Sequence, residues 1–261
     1  MIEKNISVMV ATHIIDAATK PYIENEMIIK TIKSSHEKLK LGNAKYYVYI
    51  DAVMKRKFPD LFSKYLDFLN NKFTTELKHI NIEIVEDSQE LLRGNWEHMI
   101  NNCPTPYFLF LEHDWEFTKE VPTLKILEEM DRYERFSYLR FPYTKLGPGQ
   151  PKHWDETWGG YFDEENEIDL PLTGITFYSG NPHIVKTSKC RNFYLPLHKK
   201  NWSHKSKGTS HLEKELAEIA MNDVKAIGKE ETHKKWGCFL YGTWDNFDPV
   251  VSHLGDWCRK R

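Results

Sequence analysis

No run of the roughly 18 apolar residues that a membrane span requires occurs anywhere in the 261 residues. The opening stretch MIEKNISVMVATHI has no basic segment leading into a signal-peptide core. A cytoplasmic protein with no transmembrane segment is therefore expected. Cysteine is scarce: Cys103, Cys190, Cys238 and Cys258 lie far apart with no CxxC pair, which suits reduced thiols better than a disulfide frame or a structural zinc site. An excess of one charge is also missing. Lys and Arg number 36 against 38 Asp and Glu, for a formal net charge of −2, so no field steers the chain onto nucleic acid and no nucleic-acid partner is expected. Internal repeats and low-complexity linkers are absent as well. Two local basic stretches stand out against this balance, the terminal CRKR and HKKNWSHKSKG (198–208), and the second reads either as a solvated loop or as a surface for an anion.

What is present is the composition of a folding globular chain, 40% hydrophobic and 28% charged, long enough to bury a sizeable core. ISVMVATHI (6–14) reads as a short buried strand reaching polar residues, Thr12 and His13, at its carboxyl end. The next segment, ENEMIIKTIKSSHEKL, spaces Met27, Ile28, Ile32 and Leu39 at near-helical intervals, with acids early and lysines late as the macrodipole prefers. The alternation repeats. KYYVYIDA is a second strand ending at Asp51, and PDLFSKYLDFLNNKF is a helix with Pro59 in its first turn. INIEIVED is a third strand ending at Asp87, SQELLRGNWEHMINNC a helix broken or begun around Gly94, and PYFLFLEHD a fourth strand. Strands alternating with helices imply an α/β fold with a mainly parallel sheet and helices on both faces.

The second half is less regular. VPTLKILEEMDRY reads as a helix and FSYLRFPY as a strand, followed by the long Gly-, Pro- and Trp-bearing loop TKLGPGQPKHWDETWGGYF. LTGITFYSGNPHIVKT suggests one or two strands around a turn at Ser179 to Pro182. SHLEKELAEIAMNDV is a helix that Ser210 and Glu213 could close with a capping box, and KWGCFLYG is a last strand before PVVSHLGDW. One continuous domain over 1–261 with an irregular second half is the expected organisation.

PYFLFLEHDWEF (106–117) raises the functional question, because a buried strand ends in Glu112, His113 and Asp114. In parallel sheets ligands bind beyond the carboxyl ends of the strands, and Thr12, His13, Asp51, Asp87, Glu112, His113 and Asp114 all fall at such ends. A hard divalent cation wants oxygen donors, which Asp114 and Glu112 carry; histidine suits Mn²⁺ better than Mg²⁺. Alternation along a strand would point Glu112 and Asp114 one way and His113 the other, if the extended geometry persists. The plain alternative is that the tripeptide closes a strand with solvated polar groups.

ELLRGNWEHMINNCPTPYFLFLEHDWEF resembles the stretch of nucleotide-sugar glycosyltransferases of the GT-A fold, most like family 2, in which an Asn-bearing helix precedes a strand ending in an Asp-x-Asp metal motif. Here the motif reads Glu112-His113-Asp114, so Glu replaces the first Asp. The resemblance covers about residues 5 to 120; the later half matches by order of elements and by the terminal SHLGDW. It implies a GT-A-like, Rossmann-like fold with a nucleotide-binding half over about 1–118 and an acceptor-binding half over about 119–261. It also implies Mn²⁺ or Mg²⁺ on Asp114, with Glu112 on the metal or the ribose and His253 returning to the metal. Thr12, His13, Asp51, Arg93 and Asn95 would then serve the nucleotide. The activity implied is sugar transfer from a nucleotide-sugar donor to a hydroxyl of a glycan or glycoconjugate acceptor, with inversion.

Inversion needs a carboxylate base to take the proton of the acceptor hydroxyl. Glu213, whose place after the acceptor-side strand resembles that of the family's base, stands beside Asp155, Glu156 and Glu215 as candidates. Sugars stack on aromatic faces, so Trp154, Trp158, Tyr161 and Trp202 are candidate acceptor contacts, with Asn181 in YSGNPH. Two rival readings remain open. One is a GT-A-like domain that binds nucleotide or glycan without transfer. The other is a two-metal phosphoesterase, suggested by His13, Asp51, Asp114, GNPH and His253, although ATHIID and SGNPH each depart from that pattern.

Overall fold

The computed structural model describes residues 5–12, 26–86, 91–143, 161–162, 167–201, 212–243 and 248–254. The chain falls into two compact units, Met1–Thr123 with Val251–Arg261, and Leu124–Val250.

The first unit is built on four parallel strands: β1 (Ile6–Thr12), β2 (Lys45–Ile50), β3 (Asn81–Val85) and β4 (Tyr107–Glu112), in the order β3-β2-β1-β4. β1 is buried along its whole length and β4 along all but Glu112, which is why both read as nearly continuous apolar runs. Four helices connect these strands: α1 (Met27–Lys38), α2 (Ala52–Lys57), α3 (Pro59–Thr75) and α4 (Leu91–Asn102). Pro59 opens α3, where its missing N–H costs nothing, and Phe62, Tyr65, Leu69 and Phe73 form the buried face. From α4, Trp96, Met99 and Ile100 are buried, each such side chain contributing about 1.5–3 kcal/mol. The last turn of α1 carries His36 and Lys38, as the macrodipole favours.

After β4 the chain does not stay extended. His113 and Asp114 form a turn, and β5 (Trp115–Phe117) leaves it to pair antiparallel with β11 (Val251–His253), matching His253 to Trp115. Strand alternation therefore does not govern where Glu112 and Asp114 point, because the strand ends at Glu112.

In the second unit, α5 (Thr123–Arg132) leads to β6 (Tyr138–Arg140), β7 (Tyr161–Phe162), β8 (Leu172–Ile175) and β9 (His183–Lys186). A short helical run, Thr187–Lys189, passes through a π-helical turn, Cys190–Tyr194, into α6 (Leu195–Asn201). α7 (Leu212–Ile227), α8 (Lys229–Trp236) and β10 (Cys238–Tyr241) follow. The strand order is β9-β6-β10-β8-β7, with β6 and β10 parallel and the other pairings antiparallel. The α/β class with mainly parallel pairing and flanking helices holds, and the parallel pairing is concentrated in the first unit.

The core of the second unit is aromatic: Tyr138, Tyr178, Tyr194, Phe136 and Trp236 are fully buried. Their polar ends are satisfied. Tyr194 donates to the Trp236 carbonyl at 2.7 Å, Tyr138 donates to the Ser179 carbonyl at 2.8 Å, and the Trp236 indole donates to Asp223 at 2.8 Å. Cys103, Cys190 and Cys238 are buried thiols outside any disulfide, and burial pushes the Cys238 thiol up to about 12, far from a reactive thiolate. Cys258 lies outside the described residues. Among the described residues no helix is long and apolar enough to cross a membrane.

Candidate functional site

Three parallel strands end level with one another. Thr12 is in register with Ile50, and Ala11 with Glu112, so Thr12, Asp51 and Glu112 stand along one carboxyl edge. The turn beyond β4 is then fixed from three sides. His113 donates its backbone N–H to the Ala11 carbonyl at 3.0 Å, its own carbonyl accepts from Thr31 Oγ1 at 2.7 Å, and Leu254 N donates to the Asp114 carbonyl at 2.7 Å. Ser34 Oγ accepts from Phe117 N at 3.1 Å, so α1 holds both ends of the β4–β5 connection. Sequence reasoning passes over Thr31 and Ser34; the signal they leave is a pair of polar residues on the apolar stripe of α1.

The result is a close pair. His253 Nε2 lies 3.1 Å from Asp114 Oδ2, with the two side chains only 5% and 13% exposed. The His253 ring meets Trp115 edge-on, ring centroids 4.9 Å apart, which orients the imidazole. Residues from opposite ends of the chain thus meet because β11 returns to β5. A carboxylate oxygen and an imidazole nitrogen at this spacing fit a divalent cation that takes few protein donors and fills its remaining positions with substrate oxygens. Among the described residues, no third His, Cys, Asp or Glu joins the pair in a metal-sized group. Replacing Thr31 with Val is expected to cost about 1–2 kcal/mol by removing the hydroxyl that donates to the His113 carbonyl, a melting temperature lower by about 2–6 °C in thermal unfolding.

The other nucleotide-side residues are partly engaged. Thr12 Oγ1 is hydrogen-bonded to Tyr65 OH at 2.8 Å, and Asp51 Oδ1 accepts from Val53 N at 2.9 Å, capping α2. Asn95 is 1% exposed on α4, and among the described residues its Oδ1 has no hydrogen-bond partner. His13, Asp87 and the side chain of Arg93 lie outside the described residues.

In the second unit, Glu213 is held by a side-chain hydrogen bond. Its Oε1 accepts from Ser179 Oγ at 2.7 Å, and its Oε2 lies 3.5 Å from where a Cβ on Gly180 would be, so it borders the Ser179-Gly180-Asn181 turn. Ser210, its expected capping partner, lies outside the described residues. Glu215 is placed differently, 2.7 Å from Nδ1 of the buried His198. His198 to Asn201 are helical, so the basic stretch 198–208 begins as part of α6. Asp155, Glu156, Trp154, Trp158, Trp202 and the side chain of Tyr161 lie outside the described residues.

His183 of the GNPH segment is a core residue. It is fully buried, Nδ1 donating to the Asn181 carbonyl at 2.7 Å and Nε2 accepting from Tyr178 OH at 3.2 Å. With both ring nitrogens engaged it offers no metal donor, which removes the middle ligand of the phosphoesterase pattern.

No protein-family model matches the chain, and no curated protein matches it. Solved structures do. S. aureus TarS, residues 1–349, is similar at a TM-score of 0.45 and 11% identity over 82% of this chain and 55% of that one. A cytidylyltransferase from Leptospira borgpetersenii serovar Hardjo-bovis is similar at a TM-score of 0.45 and 11% identity over 94% of this chain and 79% of that one. The chain thus spans about half of the TarS structure. Both likenesses are distant.

Proposed function

We propose that this chain is a metal-dependent glycosyltransferase of the GT-A type that moves a sugar from a nucleotide-sugar donor to a hydroxyl of a glycan or glycoconjugate, with inversion. The observation that carries the reading is the Asp114–His253 pair, 3.1 Å apart at the carboxyl edge of a parallel β3-β2-β1-β4 sheet. Asp114 and His253 would hold Mn²⁺ or Mg²⁺, and Glu112, which does not join them in a metal-sized group among the described residues, would serve the ribose. A cation held there would supply charge neutralisation for the leaving diphosphate. Thr12, His13, Asp51, Arg93 and Asn95 bind the nucleotide. Trp154, Trp158 and Asn181 bind the acceptor. Glu213 takes the acceptor proton, and Asp155 is the other candidate; what favours Glu213 is that Ser179 fixes its carboxylate.

The test is thermal stabilisation by UDP, GDP and dTDP, each with and without Mn²⁺, on the wild type, Asp114→Ala and Glu213→Gln. A ligand that binds only the folded state raises the melting temperature by mass action. One nucleotide is expected to stabilise the wild type and Glu213→Gln only with metal, and to leave Asp114→Ala unshifted. Sugar transfer by Glu213→Gln should then fall by about 10²-fold or more. If no nucleotide stabilises the wild type, the reading fails. A domain that binds without transferring would show the shifts and no turnover in the wild type.

A further inference from the structure

Arg140 closes β6 in the middle of the second unit's sheet, flanked by His183 of β9 and Leu240 of β10. It is 2% exposed, among the largest fully buried side chains of the chain. Burying a guanidinium is costly unless carboxylates or other acceptors satisfy it, and arginine is almost never buried unpaired. Here, among the described residues, no acid forms an ion pair with Arg140, and its Nε has no hydrogen-bond partner. Its guanidinium carbon lies 5.4 Å from the Phe177 ring centroid, a cation–π contact that supports the plane and accepts no N–H.

The surroundings withhold a counter-charge. His183 is held neutral, its pKa lowered to about 3 chiefly by burial, with the charge of Arg140 pushing the same way. Tyr138 is buried, and desolvation raises its pKa well above the ordinary value, so it stays protonated. The fork is therefore preformed, rigidly backed and without an anion among the described residues. The Glu213 carboxylate is engaged elsewhere: Ser179 Oγ occupies its Oε1, and the Asn181 carbonyl of the same turn accepts from His183.

We propose that Arg140 is the receptor for an oxyanion, a carboxylate or a phosphate, carried by the molecule that binds the second unit. Resting on the reading above, this makes the acceptor an acidic one, bearing a uronate-type carboxylate or a phosphate. Planar, bidentate recognition of either group is the task for which arginine is suited and lysine is not. Asn181 and the Glu213 carboxylate border the adjoining turn, so one ligand can present its anion to Arg140 and a hydroxyl toward Glu213.

The experiment compares the wild type with Arg140→Met, which keeps length and apolar bulk, in thermal unfolding with inorganic phosphate, with glucuronate, and with glucose and matched NaCl as controls. Either anion at about ten times its dissociation constant is expected to raise the wild-type melting temperature by about 2–5 °C, glucose and NaCl not at all. Arg140→Met should lose that shift while melting within about 2 °C of the wild type in anion-free buffer, or above it, because an uncompensated buried charge has been removed. A larger shift with glucuronate assigns a carboxylate, and a larger one with phosphate assigns a phosphate. If Arg140→Met keeps the anion shift, or if neither anion stabilises the wild type, the proposal is overturned. Should Arg140→Met fail to fold, Arg140→Lys decides: it keeps the charge without the fork and should show a shift reduced by half or more, an undiminished shift counting against the proposal. Stabilisation by nucleotide with Mn²⁺, measured on the same variants, reports the donor reading separately and should not change in Arg140→Met.

Discussion

Gly237→Ala is expected to lower the unfolding midpoint severely, by about 3–5 kcal/mol or roughly 10 °C. Gly237 ends α8 in the left-handed region, φ 67° and ψ 36°, and its N–H caps the helix on the His233 carbonyl at 2.7 Å. Conformation alone would cost an alanine about 1–2 kcal/mol. Lack of space costs more: a Cβ here would sit 2.3 Å from the Arg135 carbonyl oxygen and 2.9 Å from Ser137 Oγ. Neither can retreat cheaply, because the Gly237 carbonyl accepts from both Ser137 N and Tyr138 N at 3.1 Å and so sets the start of β6. Gly237→Asn separates the two causes. Asparagine tolerates the left-handed region but still brings a Cβ, so it should be nearly as harmful as alanine; urea denaturation placing Gly237→Asn close to the wild type would refute the steric cause.

Acid should destabilise the protein through His183, and the effect is the second large one. Burial lowers its folded pKa from 6.5 to about 3, so between those values the unfolded chain binds a proton that the folded chain refuses. Stability from this group is complete above pH 6.5 and drains away as pH falls toward 3, at about 1.4 kcal/mol per pH unit. Between pH 6.5 and pH 4 the loss amounts to about 3 kcal/mol. His183→Gln, which cannot titrate, should show a slope shallower by that amount in denaturant melts across the window. Parallel slopes for the two proteins would mean that His183 is protonated in the fold after all.

The first unit is largely legible in the sequence because its strands are buried on both faces and its helices carry clear stripes. ISVMVAT and YFLFLE leave little choice of structure, and Pro59 marks where α3 begins. The second unit hides its elements for physical reasons. α8, KEETHKKW, has no apolar stripe; Glu230 and Glu231 reaching Lys234 at 2.8 and 3.0 Å, together with Gly237 at its end, define it instead. α6 contains Pro196 and a basic run, which reads as loop until His198 is seen buried beside Glu215. In the first unit, β5 and β11 are the exceptions: three residues each, too short for a period, they form only because each supplies the other's hydrogen bonds.

The site divides the same way. Asp114 can be singled out from its place after a buried strand. That it lies in a turn, and that His253 meets it, depends on a pairing between residues far apart in the chain. A resemblance to the GT-A family, and not local pattern, is what singles out His253 in the sequence. The buried Arg140, with no acid beside it among the described residues, is invisible in FSYLRFPY, since an arginine in a strand ordinarily reaches water.

Binding of Mn²⁺ itself tests the central claim most directly. Electron paramagnetic resonance counts free Mn²⁺, and the titration would be run with UDP, GDP or dTDP on the wild type, Asp114→Ala and His253→Ala. With the correct nucleotide the wild type should remove Mn²⁺ from the free signal beyond what nucleotide alone removes, approaching one ion per chain. Both variants should bring the signal back to the nucleotide-only level. Asp114→Ala binding Mn²⁺ as the wild type does would contradict the proposed metal site.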